Sequence, residues 1–354
     1  MLLKNVFNIL ELARKVNDHH PLQFQPFVNA LVTGGTGFIG SHLVELLLEK
    51  RYSVRCLLRR SSDTRWLKDL SVELVYGDIF DEPALKEAVK GMDYVYHSAG
   101  LTKAKTSEEY YRANTNGTSN LLKAVAQHNP GLKRFVHVSS QAAVGPSATK
   151  EPIREDAAAH PITTYGRSKW RSEEECRAIA GTIPVTIVRP PAVYGPRDKD
   201  VFEFFNTMCR GLQPMIGFRD KYVSLIHVKD LVRGFVMAGE SPMAAGQTYF
   251  ISSRDVYSWK DLGEITRKVL GKYAVRVRVP ESVVFVVAGF SEFFSLFSSK
   301  PALINFEKAR DIVQNYWTCD SSKAKRDFGY EQKITAEDGI RSTVEWYRSM
   351  GWIR

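Results

Sequence analysis

Short apolar, β-branched runs alternate with stretches of helical periodicity through the first half of the chain. "VNALVT" (28–33) predicts a buried strand, and "FIGSHLVELLLEK" follows with apolar residues at helical spacing. "SVRCLLR", "VELVYGD" and "DYVYHSAG" predict the second, third and fourth strands. "SEEYYRANTNGTSNLLKAVAQH" reads as one long helix, "RFVHVSS" as a fifth strand, and "VTIVRPPAVYG" contains a sixth. Strands alternating with helices of this length predict βαβ units: an α/β fold with a doubly wound parallel sheet and helices on both faces. After about residue 190 Pro and Gly become denser and the alternation breaks. "LIHVKDLVRGFVMAG" predicts a strand and helix returning to the sheet. "YSWKDLGEITRKVLG" predicts a helix with Ser258 as its N-cap. The expected organisation is an N-terminal extension (1–27), a first domain (28–190, with a return segment at about 222–240), and a smaller interleaved C-terminal lobe (191–221 and 241–354).

Between the first strand and the first helix lies "TGGTGFIG" (33–40), with glycines at 34, 37 and 40. In that position the glycines have separate tasks. Gly34 permits the tight turn, Gly37 lets the backbone approach a pyrophosphate, and Gly40 allows close helix–strand packing. The helix N-terminus offers unpaired N–H groups and the positive dipole end to phosphates, with Thr36, Phe38 and Ile39 alongside. This predicts a Rossmann-type dinucleotide site. An acidic residue at the end of the second strand would mark NAD. Here that strand ends "CLLRRSSD", so Arg59 and Arg60 stand where a carboxylate would repel a 2′-phosphate. The expected cofactor is NADP(H), with Arg59 the better candidate for the phosphate contact and NAD(H) the alternative.

The fifth strand ends "HVSSQAAVGP", which puts Ser140 at the carboxyl end of a parallel strand, where ligands bind in such sheets. "TTYGRSKW" (163–170) then places Tyr165 and Lys169 four apart, about one helical turn. With 15 Tyr in the chain, about one Tyr-x-x-x-Lys is expected by chance, so context decides. The context is a glycine loop, then a Ser after strand five, then Tyr-x-x-x-Lys on the next helix. With "GDIFD", "HSAG", "NTNGT" and "RPPAVYGP" in order, the stretch from about 28 to 235 resembles the extended short-chain dehydrogenase/reductase family. A phenol with pKa near 10 is a poor base at neutral pH, and a neighbouring ammonium is expected to lower it. In the reduction direction Tyr165 gives a proton to a carbonyl oxygen and Ser140 hydrogen-bonds the same oxygen, with Ser139 the alternative in a shifted register. Lys169 has donors enough to hold the nicotinamide ribose and tune Tyr165. The resemblance implies that Asp78 and Ile79 flank the adenine. It implies that Ser98, Ala99, Gly100, Ser139, Pro190 and Val193 line the cofactor's path, and that Thr102, Gln141, Tyr194 and His227 approach the substrate. Asn114 supports the active-site backbone or a proton relay, or is simply a hydrogen bonder within its helix. His97 and His137, inside strands, are expected to be core histidines; His227 and Asp230 are expected to position the segment between the lobes. No cluster suggests a metal.

Several features favour one branch. "SSQAAVGP" is similar to the steroid-dehydrogenase version of the strand-five turn, "PAVYGP" has Ala192 where epimerases carry Asn, and Gln141-Ala142 replaces the acidic pair of dehydratases. The resemblance is therefore to 3β-hydroxysteroid dehydrogenases and dihydroflavonol-type reductases, which act on hydroxyls and ketones of apolar molecules. The alternatives are a nucleotide-sugar epimerase or dehydratase holding NAD, and a non-catalytic dinucleotide- or RNA-binding relative. An apolar run at 283–297 is too short to span a bilayer; it predicts a core helix, a pocket wall, a dimer face or a peripheral membrane contact. Composition changes little. The net charge of +10 is spread along the chain, so a nucleic-acid partner is not expected. Four scattered Cys fit a reducing compartment, and residues 1–27, which contain an amphipathic run, lack a signal-peptide core. The expectation is a cytoplasmic homodimer, with peripheral association at a membrane surface as the alternative.

Overall fold

The computed structural model describes residues 28–295 and 305–353. The N-terminal extension and the end of the 283–297 run lie outside them. In chain order the strands are β1 (Asn29–Thr33), β2 (Ser53–Leu58), β3 (Glu73–Tyr76), β4 (Tyr94–His97), β5 (Arg134–Val138), β6 (Val185–Arg189), β7 (Ala192–Tyr194), β8 (Leu212–Ile216), β9 (Tyr222–His227), β10 (Thr248–Phe250), β11 (Val256–Ser258), β12 (Val275–Val279) and β13 (Tyr316–Trp317). The first-half helices are α1 (Phe38–Glu49), α2 (Glu82–Val89), α3 (Ser107–Tyr110), α4 (Gly117–His128) and α5 (Thr164–Ile179). The second half supplies α6 (Phe202–Cys209), α7 (Val228–Glu240), α8 (Trp259–Leu270), α9 (Glu281–Ser295), α10 (Phe306–Ile312), α11 (Ser322–Phe328) and α12 (Ala336–Ser349).

Seven strands form one sheet in the order β10-β6-β5-β4-β1-β2-β3, and every pairing in it is parallel. Parallel strands covered on both faces read as apolar runs rather than alternations, which is why β5 and β6 are buried at every position. One face packs Leu43, Val44 and Leu47 of α1 with Leu231 and Phe235 of α7. The other packs Leu85 and Ala88 of α2 with Leu121 and Val125 of α4. Strand order reverses between β1 and β4, and ligands bind at the carboxyl ends beside such a switch point.

Three expectations are corrected. Residues 222–240 do not return to the main sheet as a strand: β9 pairs with β7, β11 and β13 in a second sheet, and only α7 packs back on the first. The seventh strand is β10, inside the stretch assigned to the second lobe; with three residues it is too short to show a period. The long helix after β4 is also not continuous. Tyr111–Asn116 forms a π-helical turn between α3 and α4, a distortion that marks functional sites. Ser258 does cap α8, and Asp261 completes a reciprocal capping box.

Candidate active site

The glycine loop is built for close approach. Gly34 has φ +75°, and a Cβ on it would lie 2.7 Å from the backbone nitrogen of Ala99, so the turn after β1 presses against the end of β4. A Cβ on Gly40 would meet the Gly34 carbonyl oxygen at 2.1 Å, so α1 can start this close only with glycine there. Gly37 is the N-cap of α1, with no side-chain cap and no acidic residue in the first turn. Helix-start N–H groups are thus left for an external acceptor, and a Cβ on Gly37 would meet only the Gly34 carbonyl oxygen. Thr36, Phe38 and Ile39 are half-buried at this rim. The cradle fits the diphosphate of a dinucleotide. Arg59 and Arg60 are exposed beyond β2. Arg60 lies over the Tyr76 ring at 5.5 Å, whereas Arg59 makes no ion pair among the described residues. Asp78 is exposed and accepts from Phe80 N at 3.1 Å, and Ile79 packs against Gly117.

The turn after β5 and the start of α5 meet through another glycine. A Cβ on Gly166 would lie 2.3 Å from the Ala142 carbonyl oxygen, so the residue after Tyr165 lets the helix come in against the Ser140 turn. Ser140 accepts from Ala142 N at 3.1 Å and shares a side-chain hydrogen bond with Tyr165. Ser139 is different: its hydroxyl is buried and donates to Glu173 at 2.6 Å, which leaves Ser140 as the serine at the site. Its own N–H donates to Val188 O, so only the Ser139 carbonyl is left for a cofactor. Lys169 is buried and donates to Val138 O at 2.6 Å, which uses one of its three protons.

The electrostatics correct one expectation. Burial pushes the Tyr165 phenol up to about 12, and the Ser140 hydrogen bond opposes this. Burial also pulls the Lys169 ammonium down to about 8. Desolvation is the largest influence on the phenol, while the Lys169 ammonium donates to the Val138 carbonyl of β5. Tyr165 is therefore a protonated phenol across the neutral range, the form a proton donor needs.

Asn114, in the π-helical turn, spends its amide on others. Its oxygen accepts from Leu101 N at 2.8 Å, and its nitrogen donates to Leu101 O at 3.0 Å and Ser168 Oγ at 2.9 Å. Ser168 in turn donates to the Tyr165 carbonyl at 2.8 Å. Asn114 therefore ties the loop after β4 to α5. Ser98 and Ala99 sit at that loop's start, their N–H groups donating to the Thr33 carbonyl and hydroxyl; Gly100 is exposed, with Asn114 closely beneath it. Pro190 accepts from Gln141 N at 2.8 Å, and Val193 is half-buried on β7. His97 bonds Thr33 Oγ1 and Thr118 Oγ1 at 2.7 and 2.9 Å, and its pKa falls to about 3 through burial. Thr118 gives its own proton to Asn114 O, so His97 donates through Nε2 and accepts at Nδ1 as a neutral ring. His137 is likewise buried, against Ser172 at 2.9 Å.

Of the substrate candidates, Thr102 is exposed, and Gln141 is buried with its Nε2 lacking a partner among the described residues. Tyr194 and His227 are corrected. They are 4% and 3% exposed and stack edge-to-face at 5.4 Å. The alternation along β7 turns Tyr194 into the core of the second lobe against Phe205 and Leu225, and His227 caps α7. Asp230 accepts from Arg233, Lys333 N and Ile334 N, binding the lobes.

Two supports were not visible beforehand. Glu173, fully buried one turn beyond Lys169, takes Arg189 through both oxygens at 2.9 and 2.7 Å, plus Arg177 and Ser139. This locks α5 to β5 and β6; a Lys-x-x-x-Glu spacing was the only signal. Glu307 of α10 accepts from Thr164 N at 2.8 Å, Thr164 Oγ1 at 2.7 Å and Arg167 at 3.0 Å, at the first turn of α5. Nothing local in the sequence connects residues so far apart.

A dinucleotide cradle and a Ser–Tyr–Lys set at the carboxyl edge of a seven-stranded parallel sheet define an NAD(P)-dependent oxidoreductase. Residues 30–252 match the model of the NAD dependent epimerase/dehydratase family, and the chain belongs to that family, within the extended short-chain dehydrogenases/reductases. It is 31% identical over 322 residues to the ceramide reductase of Caulobacter vibrioides, covering 91% of this chain and 95% of that one. It is 27% identical over 343 residues to a 3 beta-hydroxysteroid dehydrogenase/Delta 5-->4-isomerase of Mycobacterium tuberculosis, covering 90% of each. The fold is shared with UDP-glucuronic acid 4-epimerase from Bacillus cereus, solved in complex with NAD: the TM-score is 0.73 at 22% sequence identity, with 91% of this chain and 99% of that one covered.

Proposed function

We propose that the chain is an NADP(H)-dependent oxidoreductase that interconverts a hydroxyl and a ketone on a hydrophobic small molecule of steroid, isoprenoid, flavonoid-like or β-keto acid type. The observation that carries this reading is the pairing of a protonated Tyr165, hydrogen-bonded to Ser140, with a dinucleotide cradle at the same sheet edge. The choice of NADP(H) is supported by Arg59, an exposed guanidinium with no ion pair among the described residues, where a carboxylate would select NAD. The apolar substrate is supported by relatives named for ceramide and for a 3β-hydroxysteroid.

The residues that would hold the cofactor are Gly34, Gly37, Phe38 and Ile39 at the diphosphate, Arg59 at the 2′-phosphate and Lys169 at the nicotinamide ribose. When bound, the nicotinamide supplies or accepts the hydride. In reduction, Tyr165 hands its phenolic proton to the substrate oxygen, and in oxidation it takes that proton back. Ser140 donates to the same oxygen and holds it in line. Asn114 and Ser168 fix the backbone that carries Tyr165.

NADPH and NADH oxidation measured against a panel of apolar ketones and UDP-sugars tests the reading. Net NADPH consumption with an apolar ketone, exceeding that with NADH, is expected. Tightly retained NAD with interconversion of a UDP-sugar and no net NADPH consumption would instead establish the epimerase reading.

A further inference from the structure

The loop after β2, from Arg59 to Trp66, has no strand or helix, and most of its residues are not buried. Two short-range bonds shape it: Ser62 N donates to Arg59 O at 2.9 Å, and Leu67 N donates to Thr64 O at 2.8 Å. Asp63 is its only carboxylate. Arg65 takes that carboxylate through its backbone N at 3.1 Å and its side-chain Nε at 2.6 Å, so Asp63 is engaged within the loop. Arg60 lies over the Tyr76 ring. Arg59 is the guanidinium of this loop with no ion pair among the described residues.

Trp66 anchors the loop to other elements. It is half-buried, with Arg197 over its ring at 4.6 Å and the Trp346 ring of α12 at 5.9 Å. Leu67, next in the chain, enters the main core. Trp346 packs on the core of the second lobe that holds Ile340 and Tyr347. Arg197 is tied down in turn. Its side chain is 13% exposed and donates to Glu45 at 2.5 Å and to Ser41 Oγ at 3.0 Å, both on α1. His42 of the same helix bonds Pro196 O at 2.9 Å. The Arg197 backbone has φ +75°, a left-handed conformation uncommon for a residue with a Cβ. Such strain persists where the surroundings over-determine it, and it clusters at ligand clamps. Arg197 therefore touches both the helix that opens the diphosphate cradle and the loop that carries Arg59. A loop already ordered loses less conformational freedom on gripping a ligand, so more of the contact energy appears as affinity. An indole stacked against a guanidinium and a second indole supplies that order.

We propose that Trp66 is a positioning residue for cofactor choice. Docked against Arg197 and Trp346, it holds the loop so that Arg59 meets the 2′-phosphate of NADP(H), and the second lobe thereby takes part in selecting the cofactor. This rests on the NADP(H) reading above. The test is calorimetric titration of the full chain with NADPH and with NADH. The proteins compared are wild type, Trp66→Ala, Trp66→Phe, Arg59→Ala and the double variant Trp66→Ala/Arg59→Ala. Trp66→Ala should raise the NADPH Kd about ten-fold and the NADH Kd by less than about two-fold. Trp66→Phe keeps a flat ring in place and should hold NADPH binding within about three-fold of wild type. Once Arg59 is gone, Trp66→Ala should add less than about two-fold, because it acts through that guanidinium. An equal loss for both cofactors in Trp66→Ala, no loss for NADPH, or a full loss that persists in the Arg59→Ala background overturns the proposal. Should Trp66→Ala fail to fold, Arg197→Lys carries the test. It keeps a charge beside Glu45 but not the planar stack, and an NADPH-selective loss of about three-fold or more is expected; an unselective loss overturns the proposal. Arg59→Ala separates the two readings. If it weakens both cofactors equally, the NADP(H) reading falls and the proposal with it. A selective Arg59 effect beside an unselective Trp66 effect removes the positioning role alone.

Discussion

Helices α5 and α9 invert each other. The first is rich in polar residues, yet it buries Ser168, Lys169, Ser172 and Glu173; the second is rich in Val and Phe, yet it buries two residues. Each inversion runs against hydrophobic burial and needs its own compensation. In α5 the compensation is saturation: Glu173 takes two side-chain partners, Ser139 and Arg177, besides its bidentate grip on Arg189, Lys169 has the Val138 carbonyl, and Ser172 has His137 and the Lys169 carbonyl. Along α9 Val283, Val286, Val287, Phe290 and Phe294 stay exposed instead. Burying polar groups fixes chemistry in place, whereas exposing apolar ones leaves a surface for a ligand or a partner. Departures from the sequence rule of apolar-inside therefore fall where function is expected.

Tyr165→Phe is the sharpest test of the α5 side. It should lower turnover on the order of 10²–10⁴-fold by removing the proton donor, with stability unchanged in urea denaturation. Glu173→Ala probes the compensation itself. It strands Arg189 in the core and should destabilise the fold by about 3–5 kcal/mol in urea denaturation, while Phe290→Ser on α9 should cost about 0.5 kcal/mol or less. Equal costs would end the contrast between the two helices. Arg59→Ala should weaken NADPH binding roughly ten- to a hundred-fold, read by fluorescence titration, and leave NADH nearly unchanged. Equal weakening would place the 2′-phosphate elsewhere.

The smallest expected effect is on pH dependence. Lys169, held down to about 8 by burial, keeps its proton below that pH and loses it above. Tyr165, pushed up to about 12, stays protonated across the same range. The reduction rate should therefore be level on the acid side of about 8 and decline on the alkaline side as Lys169 loses its charge. A level profile up to about pH 10 would show that the ammonium charge is dispensable.

The parts of this protein legible in its sequence are those set by local rules. The parallel-strand runs, the glycines at 34, 37 and 40, the Ser258 cap and the Tyr165–Lys169 spacing each follow from a few neighbouring residues. What escaped depends on distant partners. The three-residue β10 joins the main sheet only because β6 offers it an edge. Tyr194 is turned inward by the packing of β7 on β9. The upward shift of Tyr165 comes chiefly from burial by surrounding elements, which a four-residue spacing does not fix. Glu307 reaches α5 across more than a hundred residues of chain.

The central claim is a proton from Tyr165 delivered to an apolar ketone at the expense of NADPH. It is tested most directly by the stoichiometry of NADPH consumed to alcohol formed, for wild type and Tyr165→Phe with one long-chain ketone. The account predicts one NADPH per alcohol in the wild type and near-background turnover in the variant. Product formed without net NADPH consumption, or a variant as fast as wild type, would contradict it.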